Sequence, residues 1–253
     1  MPEDPFASFD VVGAPLSLIA LGGTLDTATL VSAYRAGCFP WPDGEPDRAA
    51  ERQARALVRR GRVPLLPGTD GMVPWCSPDP RAVLLADQIV VSRSLRQRLR
   101  TCGWTTTVDA AFDEVVAGCA DREATWITRA MAHAYGELHR APDPAGVSAH
   151  SVEVWSGDAL VGGLYGVLVG QVFCGESMFH RQSDASKVAL VALCARLLEA
   201  GGRVVDVQEQ TDHLRSLGQV LVHREDYVAV LQSLRDRSAT LTTDRRDVAT
   251  LTA

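Results

Sequence analysis

Residues 150–180 constrain the fold most strongly, because they hold three apolar strand patterns that are separated only by short turns. Residues 156–158 form a hairpin turn after the first pattern, and Gly170 separates the second, 159–169, from the third, 171–174. Strands joined by so few residues must be antiparallel neighbours in one sheet. The second strand contains three glycines, which mark either a bulge or the close approach of a ligand: Gly162, Gly163 and Gly166.

The segment after this meander alternates between helix and strand patterns. A helix is predicted over 184–200 because Gly201 ends its apolar periodicity, and a strand is predicted over 203–208. A short helix at 210–217, a strand at 219–223 and a helix at 225–236 follow. Antiparallel strands followed by this alternation form an α+β pattern. It resembles the acetyltransferase-like (GNAT-like) fold, whose central mixed sheet splays open to admit an acyl donor.

Composition and secondary-structure patterns divide the chain into three parts. Residues 1–80 are predicted to form a small N-terminal α/β domain, with a helix over 26–36 and an exposed Arg-rich insertion at 43–72 that holds one helix near 47–60. Residues 81–237 are predicted to form the acetyltransferase-like domain; before the meander they include strands at 82–85 and 89–91 and helices at 92–100, 109–119 and 129–140. The Thr/Asp-rich tail, 238–253, is expected to be disordered.

Charge and hydropathy narrow the class of protein. A formal net charge of −6 argues against a protein that coats nucleic acid, although it leaves room for a local basic patch. No apolar run approaches the roughly 20 residues that span a bilayer. The acidic N-terminus lacks the basic start of a signal peptide, so we expect a soluble, cytoplasmic protein.

Three polar side chains lie in strand patterns that are otherwise apolar: Glu176, Asp206 and Gln208. Strand alternation predicts that Asp206 and Gln208 share a face, so all three could converge at the open end of one sheet. Such groups could orient an amine nucleophile and hold a cation by charge-assisted hydrogen bonds. A buried network that only stabilises the strand register is the alternative interpretation.

Apolar, aromatic and basic residues form further candidate sites. Leu164, Phe173, Met178 and Leu193 could line an apolar specificity pocket, or belong to an ordinary core. Four aromatic residues, Trp41, Trp126, Tyr34 and Tyr135, could stack on an unpaired base, or anchor loops. Arg93 and Arg96 start an Arg-rich helix that could meet phosphates, or form a solvated face. No metal-ligand spacing is present, so we predict no metal.

Nine short motifs occur in an order that closely resembles the leucyl/phenylalanyl-tRNA–protein transferase family. They cover nearly the whole folded chain, about 16–232, and are AYRAGCFPW (33–41), SPDPR (77–81), TWIT (125–128), AHSVEVW (149–155), LVGGLYG (160–166), GESMF (175–179), DASK (184–187), DVQ (206–208) and SLG (216–218).

This resemblance implies an aminoacyltransferase of leucyltransferase type that uses no cofactor, and we expect a monomer. Such enzymes move Leu or Phe, and Met less well, from aminoacyl-tRNA to a protein whose N-terminus is Arg or Lys, which marks it for the N-degron pathway. Matching positions assign Asp206 and Gln208 to catalysis and Glu176 to the acceptor. They assign the donor side-chain pocket to Leu164, Phe173, Met178, Leu193 and Leu197, and tRNA or its adenosine to Trp41, Trp126, Tyr34, Tyr135, Arg93 and Arg96.

The chain departs from the family pattern in places, and other functions compete. Cys76 replaces the second of two adjacent Trp, and Leu replaces larger pocket residues at 164, 193 and 197, which could change the preference between Leu and Phe. The alternatives are an acyl-CoA-dependent N-acyltransferase on the same fold and a non-catalytic tRNA-binding module. Coenzyme A would need a Gly-rich turn before the helix at 184, and 180–185 contain none.

Overall fold

The computed structural model describes residues 4–42, 48–69, 71–121 and 125–252, with only the backbone described for 48–51 and 252. Parts of the predicted insertion at 43–72, namely 43–47 and 70, therefore lie outside the described residues. The described chain forms two sheets, one of four strands and one of eight. None of the helices in this part of the chain has the length and apolar character that crossing a bilayer requires.

The small sheet is built from the first part of the chain, in the order β2-β4-β1-β3. Its strands are β1 (Leu18–Gly22), β2 (Phe39–Pro40), β3 (Leu65–Leu66) and β4 (Pro74–Cys76), and its helices are α1 (Thr27–Arg35) and α2 (Arg48–Arg59). Helix α1 begins where the Asp26 carboxylate accepts a hydrogen bond from the Thr29 N–H. The change of sheet after β4 supports the predicted domain boundary near residue 80, which stays a prediction.

The large sheet has the strand order β11-β5-β10-β9-β8-β7-β6-β12. Its strands are β5 (Arg81–Leu85), β6 (Thr105–Val108), β7 (Val147–Ser156), β8 (Ala159–Val169), β9 (Val172–His180), β10 (Val204–Gln208), β11 (Val220–Val222) and β12 (Arg246–Asp247). Between and after them lie α3 (Arg93–Thr101), α4 (Phe112–Ala120), α5 (Arg129–Arg140), α6 (Ala185–Glu199), α7 (Asp212–Arg215) and α8 (Arg224–Leu234).

The large sheet opens between β9 and β10, the one parallel pair among its described strands. These strands pair only from Val204 to Asp206, opposite Val172 to Cys174. Beyond that point β9 stays paired with β8 as far as His180, while β10 stays with β5. The prediction of an α+β, acetyltransferase-like mixed sheet is confirmed. The two strands diverge beyond their paired residues and leave a gap, called the fork below, between Gly175 and Gln208.

Glycines in β8 allow elements of the fold to approach each other closely. A Cβ atom on Gly166 would lie 2.2 Å from the Cys174 carbonyl oxygen, where the pairing of β8 with β9 shifts register. A Cβ atom on Gly162 would lie 2.6 Å from the Cβ of Ala185, at the start of α6. Of the two interpretations, bulge or ligand approach, the bulge applies at Gly166, and close helix packing explains Gly162.

Two predictions about the large sheet need correction. Residues 89–91 do not form a strand, because a 3₁₀ turn over Ala86–Gln88 ends β5 and Val90 donates a hydrogen bond to the Leu217 carbonyl instead. The expected disorder of the tail is also not what the structure describes for 238–252. Arg246–Asp247 pair with β6, and the side chains of Leu241 and Val248 are buried.

The tail is held mainly by one buried guanidinium. Arg196 on α6 is 1% exposed and donates hydrogen bonds to the carbonyl oxygens of Thr242 and Asp244. Arg246 forms an ion pair with Glu199 at 2.7 Å. Low apolar content suggested disorder, but sequence-distant polar partners order this segment.

Candidate functional site

A cavity of about 330 Å³ fills the fork between β9 and β10. Its lining combines parts of β8, β9 and β10, one face of α6, α7 with the loop before it, and two tryptophans from outside the large sheet. The cavity is therefore enclosed by segments that are far apart in the chain and that only the tertiary fold brings together.

The apolar part of the lining includes four of the five predicted pocket residues. Leu164, Phe173, Met178 and Leu193 line the cavity. Leu197 does not line it, because its side chain is fully buried one helical turn further along α6, against Gly202. Four further apolar lining residues were not predicted: Leu190, Val205, Val207 and Leu214. Leu190 could have been found from its spacing of three from Leu193.

Glu176 lies in the wall of this cavity and is 7% exposed. Its Oε1 accepts a hydrogen bond from the Gln208 side-chain amide at 2.8 Å, and its Oε2 accepts one from the Tyr135 hydroxyl at 2.9 Å. The hydroxyl oxygens of Tyr135 and Tyr34 lie 2.7 Å apart. A carboxylate from β9 is thus joined to an amide from β10 and to phenols from α5 and α1.

Burial dominates the titration of this cluster. Desolvation raises the pKa of Glu176 to about 7, and the hydrogen bonds from Tyr34, Tyr135 and Gln208 offset only part of that effect, while the charge of Asp206 adds to it. Desolvation also raises the pKa values of Tyr34 and Tyr135 well above their ordinary range. Both phenols therefore remain O–H donors at neutral pH, whereas Glu176 exchanges its proton there.

Asp206 occupies a different environment from Glu176. It is 0% exposed and is not part of the cavity lining. Its oxygens accept hydrogen bonds from Arg81 Nε at 2.8 Å and Arg81 Nη2 at 2.6 Å, a bidentate pair. The Tyr227 hydroxyl donates to Oδ2 at 2.8 Å, and the Gln208 backbone N–H donates to Oδ1 at 3.0 Å. The guanidinium lies between the rings of Phe39 and Tyr227.

A β-bulge separates Asp206 from Gln208. Asp206 is opposite Val83 and Gln208 is opposite Ala82, so β10 advances by two residues where β5 advances by one. Gln208 has φ +67°, which few residues other than glycine adopt. The prediction that strand alternation brings both side chains to one face is wrong: Glu176 and Gln208 face the cavity, and Asp206 lies behind it.

The aromatic residues fall into two classes. Trp41 and Trp126 are half-buried, line the cavity and stack on each other, with ring centroids 6.2 Å apart and an angle of 18° between the planes. Tyr34 and Tyr135 are 2% and 0% exposed, so no base could stack on them. Their predicted contact with tRNA is corrected to a role in holding Glu176.

The basic residues lie apart from the cavity lining. Arg93 and Arg96 are exposed on α3, which Ser92 caps by accepting a hydrogen bond from the Leu95 N–H. Two residues along the helix from Arg96, Arg98 reaches Asp184, the residue before α6, at 3.8 Å. The structure thus places this Arg-rich face beside the start of α6 and in solvent, without bringing Arg93 or Arg96 to the cavity.

A polar rim follows the bulge. Glu209 and Thr211 line the cavity and are exposed, and His213 lines it in a half-buried position. Burial, and then the charges of Lys187 and His180, lower the pKa of His213. Its Nε2 atom is buried without a hydrogen-bond partner in the described part of the chain. For Glu209 and Thr211, proximity in sequence to Gln208 is the only signal that could have indicated a place at the rim.

Two family models match the chain. The model described as leucyl/phenylalanyl-tRNA protein transferase matches residues 83–232, and the model of the N-terminal domain of the same proteins matches residues 23–48. Two curated relatives carry the name leucyl/phenylalanyl-tRNA–protein transferase. The protein from Shewanella baltica (strain OS155) is 41% identical over 90% of this chain and 86% of its own length. The protein from Shewanella sediminis is 42% identical over 88% and 83%.

Solved structures match the chain at low identity and low TM-score. A GCN5-related N-acetyltransferase from Kribbella flavida matches with a TM-score of 0.35 and 14% identity, over 57% of this chain and 55% of that one. L-PGS from Bacillus licheniformis matches with a TM-score of 0.35 and 12% identity, over 55% and 50%.

Proposed function

The chain belongs to the leucyl/phenylalanyl-tRNA protein transferase family, and from that premise we propose that it moves Leu or Phe, and Met less well, from aminoacyl-tRNA to proteins with an N-terminal Arg or Lys. One observation carries the proposal: an apolar cavity of about 330 Å³ ends at the hydrogen-bonded pair of Glu176 and Gln208. The product would enter the N-degron pathway. A substrate carried on tRNA is available in the cytoplasm, where we expect a monomeric enzyme that needs no cofactor.

The donor side chain would occupy the apolar end of the cavity. Phe173, Leu164 and Leu193 present hydrocarbon there, next to the open end of the sheet. Burying a side chain of the size of Leu or Phe contributes about 1.5–3 kcal/mol, whereas an uncompensated polar side chain would be penalised. This selectivity fits large apolar amino acids such as Leu, Phe and Met.

The nucleic-acid part of the donor would meet two separate surfaces. The stacked pair of Trp41 and Trp126 offers a π-face at the cavity for the terminal adenosine, since base–aromatic stacking contributes about 1–3 kcal/mol per base. The exposed Arg93 and Arg96 would meet phosphates of the acceptor stem.

The two residues of the predicted catalytic pair, Asp206 and Gln208, have different roles. Gln208 lines the cavity and can contact the reacting groups, whereas Asp206 is buried behind it and acts as a positioning residue. Asp206 accepts the Gln208 backbone N–H and thereby stabilises the left-handed conformation of this residue at the bulge. Glu176 receives the N-terminus of the acceptor. An aminoacyl ester is already activated, so the enzyme has only to hold both substrates in a reactive geometry.

The experiment offers one of three donors to a peptide that begins with Arg: labelled Leu-tRNA, acetyl-CoA, or none. Transfer from Leu-tRNA alone supports the proposal. Transfer from acetyl-CoA would indicate the N-acyltransferase, and binding of tRNA without transfer would indicate a binding module. Gln208→Ala should lower the rate of transfer, and Gln232→Ala, which removes an exposed amide on α8, is the matched control.

A further inference from the structure

Glu176 is enclosed by neutral hydrogen-bond donors. They are an amide, Gln208, and two phenols, Tyr135 and its neighbour Tyr34. Among the described residues, no Arg, Lys or His side chain forms an ion pair with it, although ion pairs are frequent elsewhere in the fold. Asp206, in contrast, has the Arg81 guanidinium beside it.

Glu176 also has room for one more donor. An ionised carboxylate offers about four lone-pair positions, and the amide and the two phenols occupy at most three of them. Asp206 has none left, because Arg81, Tyr227 and the Gln208 N–H together donate four hydrogen bonds to it. Glu176 is therefore the carboxylate of this site that can accept a new N–H.

The position of Glu176 decides which part of the acceptor reaches it. The reacting amine must come to within about 3–3.5 Å of the ester carbonyl. That carbonyl is one bond from the Cα atom of the donor amino acid, whose side chain fills the cavity walled by Phe173 and Leu193. Glu176 lines the same cavity. The acceptor group at this depth is thus its α-amine, and its cationic side chain would lie nearer the rim.

The rim carries a second carboxylate. Glu209 lines the cavity and is exposed, one residue beyond Gln208. An exposed carboxylate can pair with the guanidinium of an N-terminal Arg, or the ammonium of Lys, without desolvating that cation completely. The cavity therefore offers a buried carboxyl group for the reacting amine and an exposed one for the charge of the side chain.

We propose that Glu176 accepts the proton of the acceptor α-amine during transfer, and that Glu209 at the rim binds the cationic side chain of the same residue. This rests on the proposed function. The amine nitrogen forms a bond with the ester carbonyl carbon, and the bond from that carbon to the ribose oxygen breaks. The proton passes from the nitrogen to Glu176 and from Glu176 to the departing ribose oxygen, so no other reactant is needed.

The surroundings suit this exchange. The titratable groups around Glu176 are Tyr34 on α1, Tyr135 on α5, Cys174 on its own strand and Asp206 on β10. The two phenols keep their protons and stabilise the ionised carboxylate, while burial and Asp206 disfavour it. These opposing effects hold the pKa of Glu176 near 7. At neutral pH a group with this pKa is partly ionised, so it can accept a proton, and it is basic enough to drive the transfer.

The test measures steady-state kcat and KM for an Arg-peptide between about pH 5.5 and 8.5, around the raised pKa, with Glu176→Gln, Glu209→Gln and the distant control Glu225→Gln. Loss of a general base lowers kcat about 10²-fold or more. We expect that loss for Glu176→Gln with little change in KM. We expect Glu209→Gln to raise KM for the peptide and to leave kcat near that of the wild type.

The pH dependence gives an independent readout. The acceptor amine titrates near pH 7.7–8.0, so log(kcat/KM) should fall with a slope near 2 at low pH in the wild type, from the amine and Glu176 together. In Glu176→Gln the slope should be about 1, from the amine alone. An unchanged kcat, or an unchanged slope in Glu176→Gln, overturns the inference. Absence of transfer by the wild type overturns the proposed function instead.

Discussion

The substitution Glu176→Gln should change how the stability of the protein depends on pH. Burial raises the pKa of Glu176 from 4.5 to about 7. Since one pKa unit corresponds to about 1.4 kcal/mol, the protonated form is favoured in the folded state by roughly 3 kcal/mol. Between pH 4.5 and 7 the unfolded chain has released this proton and the folded chain retains it. The contribution of Glu176 to stability is therefore fully present below pH 4.5 and is lost as the pH rises through about 7.

The amide introduced by Glu176→Gln carries no charge at any pH, so the variant lacks this loss. We expect its free energy of unfolding, relative to the wild type, to rise by roughly 3 kcal/mol between pH 4.5 and about 8. The assay is urea unfolding of both proteins at several pH values across that interval. Any constant effect of the substitution on hydrogen bonding cancels, because only the change of the difference with pH is used.

The matched control is Glu225→Gln, which replaces an exposed Glu in the first turn of α8. Its stability should follow that of the wild type across the whole interval. Parallel curves for the wild type and Glu176→Gln would refute the reasoning, because they would show that Glu176 releases its proton at the same pH in the folded and unfolded chains.

Three other substitutions test separate parts of the site. Arg81→Met leaves Asp206 buried without a cation and should cost about 3–5 kcal/mol in urea unfolding; a loss below about 1 kcal/mol would contradict the pairing. Leu193→Phe fills part of the cavity and should lower kcat/KM for Phe-tRNA more than for Leu-tRNA, whereas an equal effect on both donors would place the side chain elsewhere. Trp126→Ala removes the partner of Trp41 and should raise KM for aminoacyl-tRNA about 5- to 150-fold, the equivalent of one base stack, with the KM for the peptide as the internal control.

Elements with strong local signals were predictable from sequence. The prediction of β8 over 159–169 agrees with Ala159–Val169, because glycine turns bound an unbroken apolar run. Helix α6, predicted over 184–200, spans Ala185–Glu199 and ends before Gly201. Strand β6 was missed although Thr105–Val108 is rich in β-branched residues, since its four residues have no clear alternation.

The polar contacts of the site depend on distant pairings that no local pattern contains. Arg81 and Asp206 are 125 residues apart, and Tyr34 and Tyr135 are 101 apart. Arg81 belongs to a motif that indicated the family, yet its partner is decided by the antiparallel register of β5 and β10. The sequence could indicate Tyr34 and Tyr135 as candidate site residues. Only the packing shows that these phenols hold a carboxylate and do not stack on a nucleobase.

The bulge in β10 explains how two carboxylates on neighbouring strands acquire different chemistry. A regular strand would place the side chains of Asp206 and Gln208 on the same face, towards Arg81. The bulge lets the Gln208 N–H donate to Asp206 while its side-chain amide turns to Glu176, so one residue contacts both carboxylates. Asp206 has a guanidinium as its partner, and all four of its hydrogen-bond positions are filled. Glu176, which has only neutral partners and an open position, is left as the group that can exchange a proton with a substrate.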